Sequence, residues 1–421
     1  MQYIPHQYGK EYIERINTSF ILALSLFHPA LVNKSVGQYV NFIFPNRITK
    51  KDMHDSVIKQ NTHLKEKIMK EFKITPQTFD LPKNTDQYLK YKQLNTDKWM
   101  IQKPIDGQKG DGIQITQTPN LEQESIVQEY IETLTYKKHK FDVRIYVTLT
   151  SLDPLIAYVY KGAVARLAYE HYESPSQTNK DDLRKHLTND AVNNPNRIKN
   201  LQTIEGDETV LNLDYLFDQM KTNPEHFNFH KSLKLLNPRE YFMKKIKENV
   251  EKTLVSLYPD LLTSAINAGM NLHEYPKSNY QILGLDICFT PTGEVKLFEI
   301  NTNPVLFRKS NLNTTLSGPQ VLIDSLNLIG IRVNVDAHNQ IINPHFGVND
   351  VRIYRFKNQY QISDSIPNRN FNNLTEFEQR AVLEIRDQKR RSENFVELEF
   401  DEYEFRESSY LNKLIWNFKD Y

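Results

Sequence analysis

Alternation of apolar and other residues predicts a long strand near the middle of the chain. Its apolar set recurs at every second position and comprises Phe141, Val143, Ile145, Val147 and Leu149. The same period places Lys140, Asp142 and Arg144 together on the opposite face. The chain returns through residues 154–160 toward a strand that carries Arg166. A solvated sheet face and a binding site account equally well for this row of charges.

A second pair of predicted strands encloses the turn Pro291–Glu294. With a loop of two or four residues, simple antiparallel pairing places Asp286 opposite Glu299, with Asn301 on the same face. Like charges about 5 Å apart destabilise a sheet unless a cation lies between them, and oxygen ligands of this kind suit Mg²⁺. A bulge would break this register. The alternative is an exposed hairpin with acidic residues on its wet face.

The remaining patterns divide the chain into four regions. Residues 1–75 are predicted to form helices and short strands, including a strand from Asn41 and a helix over about 50–72. Residues 76–135 are predicted to form short strands around a glycine-bearing loop. Residues 136–325 contain the strand pairs described above and a helix around Ile246 to Leu257, with apolar residues three or four positions apart. Residues 326–421 form a C-terminal extension to which the sequence assigns no role.

Composition excludes several classes of protein. The chain has 421 residues, of which 25% are charged and 39% hydrophobic, as is typical of a globular protein. The formal net charge of +1 predicts no strong attraction to nucleic acid or to a membrane. The single cysteine, Cys288, excludes an internal disulfide. The longest apolar stretch, Phe20–Val32, is too short to cross a bilayer, and no secretory signal is apparent. These observations predict a cytoplasmic location.

A glycine-bearing loop follows the predicted strand Trp99–Pro104. Residues 106–112 include three glycines, which let backbone N–H groups approach phosphate oxygens, and Lys103 and Lys109 supply positive charge. The loop leads into a strand rather than a helix, so it is neither a Walker loop nor a dinucleotide fingerprint. An ordinary hairpin loop is the equally good alternative.

Three further groups predict contacts with a nucleotide or an anion. The strand end Gln128–Ile131 can present backbone groups and an apolar surface to a purine. Arg144 and Arg166 offer planar forks of donors that suit phosphate or carboxylate. Thr188 and Asn189 are short polar residues able to touch ribose or phosphate, and turn capping is the alternative for both.

Taken in order, these segments resemble the tubulin tyrosine ligase family of ATP-grasp ligases, which includes glutamylases and glycylases. The resemblance covers roughly residues 40–310. It is carried by the following motifs: Phe44-Pro-Asn, Thr49–Met53, Pro76–Pro82, the Ile-Gln-Lys-Pro strand with Lys109–Ile113, Gln128–Ile131, Lys140–Arg144, Tyr160–Arg166, His186–Asn189, Gly284–Asp286 and Phe298–Pro304. The motifs His186–Asn189 and Phe298–Pro304 are the most specific.

The resemblance implies an α/β (α+β) protein with the ATP-grasp fold. In that fold residues 1–75 form an N-terminal α/β domain, residues 76–135 a central subdomain, residues 136–325 an antiparallel-sheet domain that binds ATP and Mg²⁺, and residues 326–421 an extension. The resemblance also implies the nucleotide-binding residues, which are Lys103, Lys109, Gln128, Glu129, Tyr130, Ile131, Lys140, Asp142, Thr188 and Asn189. It implies Asp286, Glu299 and Asn301 as Mg²⁺ ligands and Arg144, Arg166 and Lys103 as catalytic residues.

The reaction implied by the resemblance is formation of a peptide or isopeptide bond. ATP phosphorylates an acceptor carboxylate, and the amine of a free amino acid attacks the acylphosphate. Glutamate is the favoured amino acid, with tyrosine and glycine as alternatives, and the acceptor is a protein or peptide for which tubulin is a candidate. Two other hypotheses are an inactive ATP-grasp module that binds a partner and an ATP-dependent phosphotransferase.

Overall fold

The computed structural model describes most of the central part of the chain. The described residues are 41–42, 74–104, 110–189, 192, 210–267, 279–301, 304, 318–329, 334–335, 341–343 and 371–400. The strands are β1 (Asn41–Phe42), β2 (Thr78–Leu81), β3 (Met100–Pro104), β4 (Gln114–Thr116), β5 (Ser125–Glu129), β6 (Thr135–Tyr136), β7 (His139–Leu152), β8 (Leu155–Leu167), β9 (Val210–Asn212), β10 (Asn279–Phe289), β11 (Val295–Asn301), β12 (Asn334–Val335), β13 (Ile341–Asn343) and β14 (Phe395–Glu397). The α-helices are α1 (Thr85–Leu94), α2 (Leu183–His186), α3 (Leu213–Thr222), α4 (Pro238–Asn267), α5 (Gly318–Leu328) and α6 (Glu376–Arg391), and 3₁₀ turns cover Pro224–His226 and Phe371–Asn373.

These elements form a mixed α/β structure with antiparallel sheets. The larger sheet has eight strands, with the order β1-β10-β7-β8-β14, and β11, β6 and β9 pair with β10, β7 and β8. All of its pairs are antiparallel except β1 with β10. The smaller sheet has four strands in the order β2-β5-β3-β4, and β12 and β13 pair with each other.

The strand predicted from residues 141–149 is confirmed as part of β7. Its five apolar residues belong to one hydrophobic core, and Phe141, Val147 and Leu149 are fully buried. Helix α4 covers this core with Ile246, Val250, Leu254 and Leu257, as its apolar spacing predicts. Burying this apolar face turns the opposite, charged face of β7 toward the smaller sheet.

The sequence predictions for the smaller sheet are also confirmed. Strand β3 covers most of the predicted Trp99–Pro104 strand, and β5 ends at Glu129. Strand β4 follows the glycine-bearing loop. The strand predicted from Asn41 is confirmed for its first two residues, whereas the helix predicted over about 50–72 lies outside the described residues.

Part of the C-terminal extension joins the larger sheet. Strand β14 pairs with β8, and Asn394 Nδ2, just before β14, donates to Asp324 Oδ2 on α5 at 3.0 Å. Helix α6 begins with a capping box between Thr375 and Glu378. Residues 371–400 therefore cover an edge strand that would otherwise expose unpaired backbone groups. None of the described helices is long and apolar enough to cross a membrane.

Candidate active site

A cleft separates the smaller sheet from the charged face of the larger sheet. Residues predicted from distant segments line it together, namely Lys103, Gln128, Glu129, Tyr130, Ile131, Lys140, Asp142, Arg166, Thr188, Asn189, Asp286 and Glu299. Arg144 and Asn301 contact Asp286 at its floor. Lys109 lies outside the described residues. We call β3 and β5 the small-sheet wall, and β7, β8, β10 and β11 the large-sheet wall.

Strand pairing on the large-sheet wall joins opposite charges. Asp142 on β7 lies directly across from Arg166 on β8, and Asp286 on β10 lies across from Arg144 on β7. Each pair is bidentate: Arg166 Nε donates to Asp142 Oδ1 at 2.7 Å, Arg144 Nη2 donates to Asp286 Oδ2 at 2.8 Å, and a second contact closes each fork. Arg166 Nη2 also lies 3.0 Å from Asp286 Oδ2 and joins the two pairs.

This ion-pair cluster keeps Asp286 ionised although it is buried. Burial alone would raise the pKa of Asp286, but the charges and hydrogen bonds of Arg144 and Arg166 outweigh it and hold the pKa well below its usual range. Burial would likewise lower the pKa of Arg166, and Asp142 and Asp286 reverse that effect. Asp286, Arg144 and Arg166 therefore carry their charges at neutral pH.

The hairpin of β10 and β11 places Asp286 opposite Glu299, as predicted, but by a different route. The prediction of a loop of two or four residues is wrong. Phe289 pairs with Val295, so the loop consists of residues 290–294 and has an odd number of residues. That register alone would place Phe298 opposite Asp286. A bulge between Asp286 and Ile287 restores the predicted pairing. The extra residue, Phe298, lines the cleft.

A glycine on β10 allows Arg144 to lie flat against this strand. A Cβ atom built on Gly284 would lie 2.6 Å from Pro304 Cβ and 3.1 Å from Arg144 Cδ. Both distances are shorter than ordinary van der Waals contact. The missing side chain at Gly284 therefore leaves the space through which Arg144 reaches Asp286.

The donors around Glu299 fit a hard cation. Asn301 Nδ2 donates to Glu299 Oε1 at 3.1 Å and lies 3.4 Å from Asp286 Oδ2, so the three predicted ligands are mutual neighbours. Two carboxylates and an amide are the oxygen donors that Mg²⁺ takes in proteins when substrate phosphates complete its shell. Both oxygens of Asp286 are engaged by arginine, and Glu299 lines the cleft beside it. Among the described residues, no three His, Cys, Asp or Glu side chains converge.

A chain of side-chain hydrogen bonds holds Lys103 on the small-sheet wall. Lys103 Nζ donates to Gln128 Oε1 at 3.1 Å and lies 5.7 Å from the centre of the Phe298 ring. Gln128 Nε2 donates to Thr78 Oγ1 at 3.1 Å, and Thr78 Oγ1 donates to the carbonyl of Pro76 at 2.7 Å. Gln128, which was predicted to bind the nucleotide, is therefore a buried residue whose side chain orients Lys103.

The acidic side chain of the predicted purine segment is engaged by two other side chains, Tyr91 and Lys98. Glu129 accepts a hydrogen bond from Tyr91 Oη at 2.8 Å, and its other oxygen lies 3.0 Å from Lys98 Nζ. The backbone N–H groups of Glu129 and Tyr130 donate to the carbonyls of Gln77 and Trp99. The backbone contact with a purine predicted for Glu129, Tyr130 and Ile131 remains a prediction.

Lys140 is held at the cleft by two neighbouring aromatic rings and a hydroxyl. Its Nζ donates to Tyr130 Oη at 3.0 Å and lies 4.1 Å from the centre of that ring and 5.9 Å from the centre of the Tyr172 ring. Tyr130 Oη is in turn 2.9 Å from His186 Nδ1. Burial lowers the pKa of Lys140, and Tyr172, Cys288 and Asp142 oppose part of that effect.

Thr188 and Asn189 border the cleft after helix α2. Thr188 Oγ1 donates to Asp142 Oδ2 at 2.7 Å, which connects the predicted ribose contact to the ion-pair cluster. A Cβ atom built on Gly110 would lie 3.5 Å from Asn189 Cγ, so the last described part of the glycine-bearing loop packs against Asn189. Gly110 and Gly112 both have positive φ, at 90° and 72°, which favours glycine.

Sequence reasoning did not assign roles to several residues of the cleft. The position of Phe298 in the cleft was not predicted, because a bulge cannot be derived from the alternation of side chains alone. Thr78 and His186 belong to motifs in the sequence, but the sequence does not indicate which residues they contact. No local signal connects Thr78 to Gln128, which is 50 residues further along the chain.

The fold and the side chains of the cleft together indicate the class to which this protein belongs. Antiparallel sheets enclose a cleft that carries lysine, arginine and paired acidic side chains, with no nucleophilic cysteine or serine–histidine pair among the described lining residues. The family model described as Tubulin-tyrosine ligase family matches residues 31–341. The chain belongs to the tubulin-tyrosine ligase family.

Similar proteins are named as tubulin polyglutamylases. Tubulin polyglutamylase TTLL7 of Xenopus tropicalis is 30% identical over 286 residues, which cover 64% of this chain and 29% of that protein. Tubulin polyglutamylase ttll-4 of Caenorhabditis briggsae is 26% identical over 337 residues, covering 76% and 52%. Human tubulin polyglutamylase TTLL6 is 28% identical over 306 residues, covering 71% and 32%. The matched regions thus span between 29% and 52% of these relatives.

Proposed function

We propose that this protein is an ATP- and Mg²⁺-dependent ligase that adds glutamate to a carboxylate of a protein acceptor. The observation that carries the proposal is the convergence of Lys103, Arg166 and the Asp286–Glu299 pair on one cleft, in a chain of the tubulin-tyrosine ligase family. The names of the relatives favour glutamate as the amino acid and tubulin as the acceptor.

The side chains of the cleft suit a reaction that proceeds by positioning and charge neutralisation. Formation of an acylphosphate transfers the γ-phosphoryl group of ATP to the acceptor carboxylate and releases ADP. Attack by the amine of glutamate then forms the amide and releases phosphate. Both steps concentrate negative charge on phosphoryl oxygens, which Lys103 and Arg166 are positioned to stabilise. Neither step needs a protein nucleophile.

We further propose that Glu299 and Asn301, with Asp286 beside them, hold Mg²⁺. The ion would supply positive charge to the β- and γ-phosphates of ATP. Oxygen donors of this type fit the ion, and the bulge at Phe298 directs Glu299 toward the cleft. Lys109 is included among the proposed phosphate contacts because of its sequence motif alone.

The direct test is incorporation of glutamate into tubulin. The purified chain is incubated with ATP, Mg²⁺, labelled glutamate and tubulin, and the products are analysed by mass spectrometry. We expect an adduct with the mass of one or more glutamate residues that requires both ATP and Mg²⁺. Tyrosine and glycine are run in parallel, and a cell lysate replaces tubulin in a second series to identify another acceptor.

Glu299→Gln separates this proposal from the two alternatives. The variant keeps the shape of the side chain but removes its charge, and we expect a decrease in turnover of at least about 100-fold. Glu122→Gln is the matched control, because Glu122 is exposed and is not among the residues that line the cleft. A phosphate adduct in place of glutamate would favour a phosphotransferase. Equal and negligible turnover in wild type and Glu299→Gln would favour an inactive binding module.

A further inference from the structure

A second chain of hydrogen bonds leads from the cleft to the backbone of the loop before α2. Lys140 Nζ lies 3.0 Å from Tyr130 Oη, which lies 2.9 Å from His186 Nδ1. His186 Nε2 lies 3.2 Å from the carbonyl oxygen of Asn179. Lys140 and His186 are buried, with 6% and 2% of their surfaces exposed.

The chemistry of the end groups fixes the direction of every hydrogen bond in this chain. The carbonyl oxygen of Asn179 only accepts, so His186 Nε2 carries a proton. In a neutral imidazole Nδ1 is then an acceptor, and Tyr130 Oη donates to it. The oxygen of Tyr130 accepts from the ammonium of Lys140, which only donates. Each link of the chain then joins one donor to one acceptor.

Protonation of His186 breaks the arrangement. In the imidazolium both ring nitrogens donate, so Nδ1 no longer accepts the proton of Tyr130. The Tyr130 oxygen then faces two donors, and its own proton loses the acceptor that it has in the observed arrangement. The new positive charge on His186 is also separated from the ammonium of Lys140 only by the Tyr130 hydroxyl. Both changes disfavour the observed position of the ammonium.

We propose that Tyr130 and His186 are positioning residues that hold the ammonium of Lys140 at the nucleotide cleft only while His186 is neutral. This inference rests on the proposed function in that Lys140 is taken to contact ATP. It makes nucleotide binding sensitive to pH through a histidine that does not itself need to touch the nucleotide.

The surroundings of His186 favour the neutral ring. The titratable groups near it are Lys140 on β7, Tyr130 after β5, Tyr172 and Glu173 in the following loop, and Asp182 and Lys185 at α2. Burial and then the charge of Lys140 lower the pKa of His186 from its ordinary value of 6.5, against the raising effects of the Asn179 carbonyl and Asp182. Because the pKa is lowered, the neutral ring dominates at physiological pH and is lost only as the pH falls below that ordinary value.

The chain that holds Lys103 provides an internal comparison. It also runs from an ammonium group through two side chains to a backbone carbonyl, by way of Gln128, Thr78 and Pro76. Neither Gln128 nor Thr78 titrates. The position of Lys103 should therefore be independent of pH over the range in which Lys140 is released.

The first experiment measures binding of ATP with Mg²⁺ by calorimetry between about pH 8 and about pH 5.5, on both sides of the ordinary histidine pKa. Tyr130→Phe removes only the hydroxyl, and we expect about three- to tenfold weaker binding at pH 8, as for one hydrogen bond. The affinity of wild type should fall as the pH drops, after correction for ATP protonation. His186→Asn offers an oxygen near the Nδ1 position without a titrating group, and we expect it to remove that additional fall.

Tyr158→Phe is the matched control. The Tyr158 hydroxyl is buried and has no hydrogen-bond partner among the described residues, and it lies outside the cleft lining. Equal ATP affinity in Tyr130→Phe and wild type would overturn the proposal. An unchanged pH dependence in His186→Asn would also overturn it. A positioning role further predicts that Tyr130→Phe raises the KM for ATP more than it lowers kcat.

The second experiment needs no nucleotide. Nitrogen NMR of labelled histidine reports the tautomer of His186, and we expect the proton on Nε2 in wild type. A proton on Nδ1 would overturn the proposed chain whatever the affinity measurements give. A wild-type protein with the expected tautomer that binds no ATP would instead count against the proposed function alone.

Discussion

The two walls of the cleft hold their charged groups in opposite ways. On the small-sheet wall, the ammonium of Lys103 lies against a neutral amide, Gln128 Oε1, at 3.1 Å. On the large-sheet wall, Asp142, Arg166, Asp286 and Arg144 neutralise one another in a buried cluster. Buried charges are tolerated only when they are paired and hydrogen-bonded, so the cluster is stiff and its members depend on each other.

Because of this difference, we expect substitutions on one wall to change mainly protein stability and substitutions on the other to change mainly ligand binding. Removing one member of the cluster leaves a buried charge without its partner, so the large-sheet wall should respond mainly through the free energy of unfolding. The ammonium of Lys103 is held by the neutral amide of Gln128 beside the Phe298 ring, and Lys103 is only partly buried. The small-sheet wall should therefore respond mainly through the affinity for phosphate.

The largest expected effect is on the large-sheet wall. Asp286→Ala leaves Arg144 and Arg166 without a shared carboxylate, and we expect a loss of about 3–5 kcal/mol in the free energy of unfolding. Chemical denaturation measures it. Asp387→Ala is the control, because the Asp387 and Arg390 side chains are 46% and 69% exposed and their pair contributes little. Similar costs in the two variants would remove the distinction between the walls.

The dependence of this effect on pH has a defined sign. The pKa of Asp286 is lowered in the folded protein, first by Arg144 and then by Arg166, against the effect of burial. Its stabilising contribution is then fully present above the ordinary aspartate pKa of about 3.9 and is lost as the pH falls below it. The difference between wild type and Asp286→Ala should stay constant from neutral pH to about pH 5 and decrease only in stronger acid.

The next effect belongs to the small-sheet wall. Lys103→Met removes the ammonium but keeps most of the apolar chain, and we expect about 10- to 100-fold weaker ATP binding, as for a charge-assisted hydrogen bond. Stability should change by less than about 1 kcal/mol, because the Lys103 side chain is only partly buried. Calorimetry and denaturation are measured in parallel, with the exposed Lys90→Met as control. A loss of stability as large as that of Asp286→Ala would contradict the comparison.

A smaller effect tests the support behind Lys103. Thr78→Val removes the hydroxyl that accepts from Gln128 and donates to Pro76. We expect about fivefold weaker ATP binding, as for loss of one hydrogen bond of about 1 kcal/mol, and no change in its pH dependence. Thr78→Ser retains the hydroxyl and should bind like wild type. If the serine and valine variants bind ATP equally, Gln128 does not need Thr78 to orient Lys103.

The smallest effect is expected at the rim of the small-sheet wall. Lys98 pairs with Glu129 at 3.0 Å, but the Lys98 side chain is 47% exposed. We expect Lys98→Ala to change the free energy of unfolding by less than about 1 kcal/mol. Denaturation in low and high salt measures the pair, and any contribution should decrease with salt. A larger loss would mean that Glu129 behaves like the acids of the cluster.

Much of the large-sheet wall was predictable because its pattern is local. Alternation of side chains along a strand fixes which residues share a face, so Lys140, Asp142 and Arg144 were correctly placed together on β7. The pairing of Asp286 with Glu299 was also predicted, although the assumed loop was wrong and the bulge at Phe298 compensated for it. The contacts of the Glu129 carboxylate with Tyr91 and Lys98 were not predictable, because no local pattern connects these residues.

The sequence by itself determined the strand faces, the apolar core positions of β7 and α4, and the types of charged residue near the cleft, because these follow from short-range periodicity. Only the tertiary structure decided which charges meet. Arg144 and Asp286 are 142 residues apart in the chain, and Lys103 is joined through Gln128 to Thr78 by strand pairing in another sheet. Electrostatic and hydrogen-bond energies depend on distance and burial in space. No local pattern therefore specifies that four charges neutralise one another on one wall, or that the amide of Gln128 holds Lys103 on the other.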